Sequence, residues 1–304
     1  MNNTFDRSTQ DVGNILALEH VNVTVPDQEV AALFYVTLLG FTRDPYIDFG
    51  TANMWINIGS QQFHLPKRSA QVLRGRIGLV VPDLAQLQAR LTRMERQFAD
   101  RLAGTCYRWE VAAAGQRVDV MCPWGNRLQI HGASDAFGGV TLGMPYVELD
   151  VPPGGAAGIA RFYRDVMGCA AHTDTVGDTS ANLAHRAVVR IGRAQQLIFR
   201  ETANAIPEYD GHHIAVYLAN FSSPYQALLQ HGLVSMETNE NEYRFQNVID
   251  LDSGKVLATL EHEVRSMFHP MFGRELVNRN SAQSFMRYQA GHDAFVGVAQ
   301  GGRG

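Results

Sequence analysis

VNVTVPDQEVAALFYVTLLGF, running from Val21 to Phe41, returns as VELDVPPGGAAGIARFYRDVMGC from Val147 to Cys169. Each copy reads as an alternating apolar strand, a corner containing Val-Pro, a short helix carrying Phe-Tyr, and a Gly five residues after the Tyr. Repetition on this scale sets the architecture before any single residue is interpreted. Two further stretches, RIGLVVPDLAQLQARL (Arg76 to Leu91) and HIAVYLANFSSPYQALL (His213 to Leu229), share the layout, so the unit occurs four times. Each unit reads strand, helix, then three short strands. In the first, period-2 alternation and 3.6-residue spacing predict a strand over Leu18 to Val25 and a helix around Val30 to Leu38, then strands over Phe41 to Asp48, Thr51 to Ile58 and Gln61 to Leu65.

The fold class expected is α+β: four βαβββ modules paired into two cup-shaped domains. Chain order places modules 16–67 and 74–133 in a first domain, 16–135, and modules 143–201 and 211–265 in a second, 143–265. The Gly-rich stretch from Ala133 to Gly143 marks the boundary. Residues 1–15 are expected to be disordered. Residues 266–304 lie beyond the repeat and are expected to form an arm against the body or a partner, then a tail.

Composition narrows the function classes. The 304 residues are 45% hydrophobic, enough for two cores, and the net charge of −4 gives no electrostatic footprint for nucleic acid. No apolar run approaches the roughly 20 residues of a membrane span, and MNNTFDRSTQDVG lacks the apolar segment of a secretory signal, so a cytoplasmic protein is expected. Cys106, Cys122 and Cys169 show no CxxC spacing and read as small hydrophobes rather than disulfide or zinc ligands.

The paired modules, the Phe-Tyr and Gly signature and the segment CPWGNRLQI (Cys122 to Ile130) resemble the vicinal oxygen chelate superfamily, which includes glyoxalase I, fosfomycin resistance proteins, bleomycin-binding proteins and extradiol dioxygenases. The resemblance covers about residues 16–263, and four modules in one chain look most like the extradiol arrangement. It implies that two modules close into a cup and that metal ligands come from the first and last strands of each module.

Strand alternation then sorts the candidates. With Val21, Val23 and Val25 against the helix, His20, Asn22 and Thr24 face the cup; with Phe63 and Leu65 in the core, His64 does too. In the second module Arg76 matches His20, and the last strand offers Gln129 and His131. The first cup thus presents His20, His64 and Gln129 as metal ligands, with Asn22, Arg76 and His131 on the substrate. A guanidinium cannot ligate, so Arg76 either removes a ligand or marks a cup for an anion.

In the second cup Tyr146 matches His20, Glu148 shares its face, and His213 opens the fourth module. Counting from Gly254 gives Ala258, whereas a bulge or slip brings Glu261 or Glu263 inward. Glu148, His213 and Glu261 form the alternative ligand set, with Tyr146 and His212 as acid-base groups and Tyr217 as a substrate contact. EHEVRS (Glu261 to Ser266) also reads as an ion-pair network between units, and Trp55, Trp109 and Trp124 as packing residues or pocket walls.

The resemblance implies a metal-dependent enzyme acting on a small, oxygen-rich, vicinal-oxygen substrate, dioxygenase-like in first place and a glyoxalase-like lyase or isomerase in second. The expected cofactor is a divalent metal, iron(II) ahead of manganese, nickel or zinc. A metal-free ligand-binding protein on the same scaffold is the third reading. A small-molecule substrate is expected as partner, with no nucleic acid and no membrane; the family also allows a homodimer.

Overall fold

The computed structural model describes residues 5–47, 49–112, 115–177 and 183–276. The predicted module order is present. Module one contributes β1 (Ile15–Asn22), β2 (Thr42–Arg43), β3 (Asn53–Ile58) and β4 (Gln61–Pro66); module two contributes β5 (Gly75–Val81), β6 (Arg108–Val111), β7 (Arg117–Met121) and β8 (Arg127–Gly132). Module three contributes β9 (Gly143–Val151), β10 (Ala171–Val176), β11 (Ala184–Ile191) and β12 (Gln195–Glu201), and module four β13 (His213–Leu218), β14 (Val234–Asn239), β15 (Glu242–Ile249) and β16 (Val256–Ser266). The second strand of module one is shorter than expected, and Asp48, placed in it from sequence, lies outside the described residues.

The repeat has a physical cause. Asp27 accepts hydrogen bonds from Glu29 N and Val30 N and so starts the first helix, which widens into a π turn over Leu33–Leu38. Phe34 and Tyr35, and their counterparts Phe162 and Tyr163 on the helix Ala156–Asp165, are fully buried. In both copies the chain then closes by the same bond, Phe41 N to Tyr35 O and Cys169 N to Tyr163 O. That closure passes through a residue with φ of 82° at Gly40 and 69° at Gly168, where a side chain is disfavoured, which explains the Gly at that spacing.

The pairing of modules differs from the expectation. One eight-stranded sheet runs β14-β15-β16-β13-β1-β4-β3-β2 and the other β10-β11-β12-β9-β5-β8-β7-β6. Module one therefore shares a sheet with module four, across the antiparallel β1–β13 seam, and module two with module three, across β5–β9. Cups built from 16–135 and from 143–265 are replaced by cups built from the outer and the inner modules. Chain neighbours do meet, but on the helical side: Phe34 packs edge-on against Tyr107 of module two, and Phe162 of module three packs against Phe245 of module four.

Both chain ends are placed where described. Asp6 caps a 3-10 turn at Arg7–Gln10, and Asn14 donates to Met167 O and Asn220 O, so residues 5–14 are ordered against the body rather than disordered. After β16 an irregular strap, 267–276, crosses from module four to module one. Arg274 pairs with buried Asp44 at 2.5 Å, Leu276 O accepts from Asn57, and Met271 packs with Tyr46, Ile47 and Trp55. The arm thus packs on the body; the tail from 277 onward lies outside the described residues. No helix among the described residues is long and apolar enough to cross a membrane.

His262 locks modules three and four together. Its ring is fully buried and stacks on Phe245 at 4.2 Å, Nδ1 donates to Leu260 O, and Nε2 accepts from Tyr163 Oη at 2.6 Å. Burial pushes this imidazole down to about 4. An unfolded chain takes up the proton near pH 6.5 while the folded one resists it to about 4, so stability is lost as pH falls through that window, by roughly 3 kcal/mol, and levels off below it. Urea unfolding at stepped pH checks this: the stability gap between wild type and His262→Phe is expected to narrow from pH 7 to pH 4. A constant gap counts against it.

Candidate functional site in the cup of modules one and four

Three histidines meet inside the outer-module cup. His20 on β1, His64 on β4 and His213 on β13 each present a ring nitrogen within 4.8 Å of the others. The pleat brings them there. Val21 and Ile214 face each other across the seam and point to the core, which turns His20 and His213 to the opposite face. In the parallel pairings Asn22 lies beside His64 and Ala215 beside Glu263, so Glu263 occupies in module four the place His64 holds in module one.

Each imidazole is held. Glu19 Oε2 lies 3.3 Å from His20 Nδ1, while His20 Nε2 is buried with no hydrogen-bond partner. His64 stacks on Trp55 at 4.0 Å, its Nδ1 lies 2.7 Å from the Asn22 amide and its Nε2 2.8 Å from that of Asn53. A neutral ring has one N–H and one lone pair, so one of these amides presents its oxygen to it. His213 Nε2 is 3.4 Å from Glu263 Oε2, and Nδ1 is 3.6 Å from Glu261 Oε1. Burial, with the charges of His20 and His213, pushes His64 down to about 2, and burial also lowers His20. At neutral pH these two rings are uncharged and carry a lone pair, the form that binds metals.

An ion-pair network encloses the group. Arg244 reaches Glu261 at 2.7 Å and Glu263 at 2.5 Å; Arg265 pairs with Glu19, Glu263 and Glu242. Burial alone would raise the Glu263 pKa, but His213, Arg265, His20 and Arg244 hold it well below the usual carboxylate range. Four carboxylates thus face two guanidiniums, and burial together with Glu263 raises Glu242. A divalent cation would offset that excess.

The inner-module cup is built differently. At the positions matching His20 and His64 it carries Arg76 and Gln129 in module two, Tyr146 and Ile198 in module three. Arg76 Nε lies 2.9 Å from Glu148 Oε1; Tyr146 Oη donates to Gln129 Oε1 and lies 2.9 Å from His131 Nε2. Tyr146, Gln129 and His131 are hydrogen-bonded together and Arg76 is paired with Glu148 in a cup apart from the three histidines, and the ligand sets that mixed Gln129 with His20, or Glu148 with His213, are not brought together. Gly78 lies under the Tyr146 ring, and a Cβ there would come within 2.2 Å of it. Gly78→Ala is expected to cost about 1–3 kcal/mol in chemical unfolding while leaving metal content unchanged; an unaltered unfolding midpoint contradicts that packing.

Of the remaining sequence candidates, His212 is buried outside the group with Nδ1 2.6 Å from Asp210 Oδ1, and Tyr217 turns its hydroxyl to Arg265 at 3.4 Å. Asn22 holds His64. Glu261 does enter the cup, beside His213. Glu19, Asn53 and Arg244 carried no signal in the sequence, whereas Arg265 lies in the EHEVRS stretch and joins the ion-pair network expected there, reaching Glu19 of module one. Glu19 was hidden by the register shift between Leu18 and His20, which turns two successive residues, Glu19 and His20, to the same side.

No protein-family model matches the chain, and no curated protein matches it in sequence. Solved structures do match in fold. Glyoxalase I from Zea mays superposes with a TM-score of 0.57 at 12% identity, covering 82% of this chain and 92% of that one. A provisionally assigned dioxygenase from Bacillus subtilis subsp. subtilis str. 168 gives 0.54 at 14% identity, covering 90% and 89%. The chain thus has the vicinal oxygen chelate fold, in a four-module α+β form.

Proposed function

We propose that this protein is a metal-dependent enzyme acting on a small substrate through two vicinal oxygens, with one divalent ion held by His20, His64, His213 and Glu263. The observation that supports this most is the meeting of three imidazoles, from three strands and two distant modules, around one point. The donor set fits the group: an orphaned buried His20 Nε2, neutral rings, and a carboxylate excess of two charges around them. Two or more imidazoles with a carboxylate suit iron(II), manganese, nickel or zinc.

When bound, the ion acts as a Lewis acid on a coordinated oxygen. The chain's residues do the rest. Glu19 accepts the Nδ1 proton of His20 and so fixes the lone pair of Nε2 inward. Trp55 fixes the plane of His64, and of the Asn22 and Asn53 amides at its two nitrogens the one that donates to the lone pair would give way to the ion. Glu261, partly exposed at the cup beside His213, is placed to take a proton from a carbon next to a polarised carbonyl, with Arg244 holding it in position. The strap packs Met271 against Trp55, the ring on which His64 stacks.

Three imidazoles and Glu263 would together hold the ion closely and leave room for little beyond the two oxygens of a substrate, and this favours a lyase or isomerase. The second reading is the oxygenase. Arg244 and Arg265 grip Glu263, and with Glu263 retained by them the ion would be held by the three histidines alone, a more open set that would suit oxygen chemistry. The test is parallel assay of metal-loaded protein: exchange of the carbon-bound proton of α-hydroxyketones in heavy water, followed by NMR, against oxygen uptake with catechols. Exchange that is lost in Glu261→Gln supports the first reading. Oxygen uptake supports the second, and neither activity with any of the four metals counts against both.

A further inference from the structure

We propose that the inner-module half of the molecule carries a second, metal-independent site, for a small organic anion with an apolar body. It is a cleft of about 640 Å³ beside Tyr146, at one end of the cup of modules two and three. Arg164 from the helix Ala156–Asp165, His172 from β10, Arg190 from β11 and Arg193 from the turn before β12 converge on it from four elements. No Asp or Glu lines it.

The charge arrangement is what distinguishes this cleft. Three arginines deeper in the same cup are matched to carboxylates: Arg76 to Glu148, Arg117 to Asp119 and Arg186 to Asp174. Among the described residues the three cleft arginines have no carboxylate within ion-pair distance. Arg164 donates to Ala171 O and Arg190 to Asp11 O, both neutral carbonyls, and Arg193 has neither kind of partner. Each guanidinium has five N–H donors, so most of this capacity is unspent. Three uncompensated positive charges at one concavity raise the local concentration of anions, and a guanidinium fork matches phosphate or carboxylate oxygens in pairs.

The floor sets the rest of the ligand. Phe137, Pro145, Tyr146 and Val188 give an apolar base, and the volume lies within the range of small-molecule pockets. Tyr146 cannot turn away to fill the space, because Gln129 and His131 hold its hydroxyl and Gly78 receives its ring. The ligand class is therefore a compact acid carrying two negative charges, a phosphate monoester or a dicarboxylate, on a flat or branched apolar body. This site does not depend on the metal in the other cup.

Titration calorimetry with phenyl phosphate and with phthalate tests it on the intact chain, with phenol and inorganic phosphate as controls. Wild type is expected to bind at least one of the two dianions, more weakly as salt rises, and about tenfold tighter than inorganic phosphate. Which of the two binds decides between the phosphate and the carboxylate. Arg190→Gln with Arg193→Gln, both outside the core, is expected to weaken binding at least about tenfold, whereas Arg161→Gln and His213→Ala leave it unchanged. Absence of binding at millimolar concentration, equal binding by the double variant, equal affinity for inorganic phosphate, or loss in His213→Ala would each overturn the proposal.

Discussion

Replacing His213 by alanine is expected to weaken binding of zinc or cobalt(II) by at least about a hundredfold, with His20→Ala and His64→Ala equivalent. The reason is geometric. The three rings come from β1, β4 and β13, which belong to modules at opposite ends of the chain, and removing any one leaves two imidazoles beside Glu263, a carboxylate already engaged by Arg244 and Arg265. Gln129→Ala and Glu148→Ala, in the other cup, are expected to keep wild-type affinity. Competition against a chromophoric chelator separates these outcomes. A loss of equal size in Gln129→Ala and His213→Ala would mean that the cups are not independent.

The second large effect concerns stability. Arg265→Ala is expected to cost about 3–5 kcal/mol, because it strands Glu19, Glu242 and Glu263 in the interior with one guanidinium, Arg244, still reaching two of them. Arg265 is itself buried, so water cannot replace what it gave. Arg161→Ala removes a solvent-facing arginine that pairs with Asp165 and Asp252 and is expected to leave the unfolding midpoint close to that of wild type. Urea unfolding of both variants beside wild type checks the contrast. Equal midpoints would show that the network around Glu263 carries no stability of its own.

Much of this architecture was legible in the sequence because strand alternation is strict. Val21, Phe63, Leu128 and Ile130 must be buried, and that alone turns His20, His64, Gln129 and His131 into the cups. The Gly at 40 and at 168 announced its left-handed conformation through its distance from the Tyr. Which modules share a sheet was not legible from order along the chain, since helices satisfy the chain-neighbour contacts while sheets pair the outer and inner modules. A chemical signal was nonetheless present: of the four first-strand positions, His20, Arg76, Tyr146 and His213, two carry imidazoles, and they belong to modules one and four. The register of β16 was also out of reach. Counting from Gly254 led to Ala258, whereas shifts in the pairing with β15, between Phe245 and Asn247 and again between Val248 and Ile249, accompany the turn of Glu261 and Glu263 inward. Bulges of that kind leave no mark in a pattern of alternating residues.

The most direct test of the central claim is the metal content of the purified chain after reconstitution with iron(II), manganese, nickel or zinc, measured by inductively coupled plasma mass spectrometry. The cup of modules one and four holding the ion predicts one metal per chain, retained in His131→Ala and absent in His213→Ala. Two metals per chain, or none with any of the four ions, would contradict it.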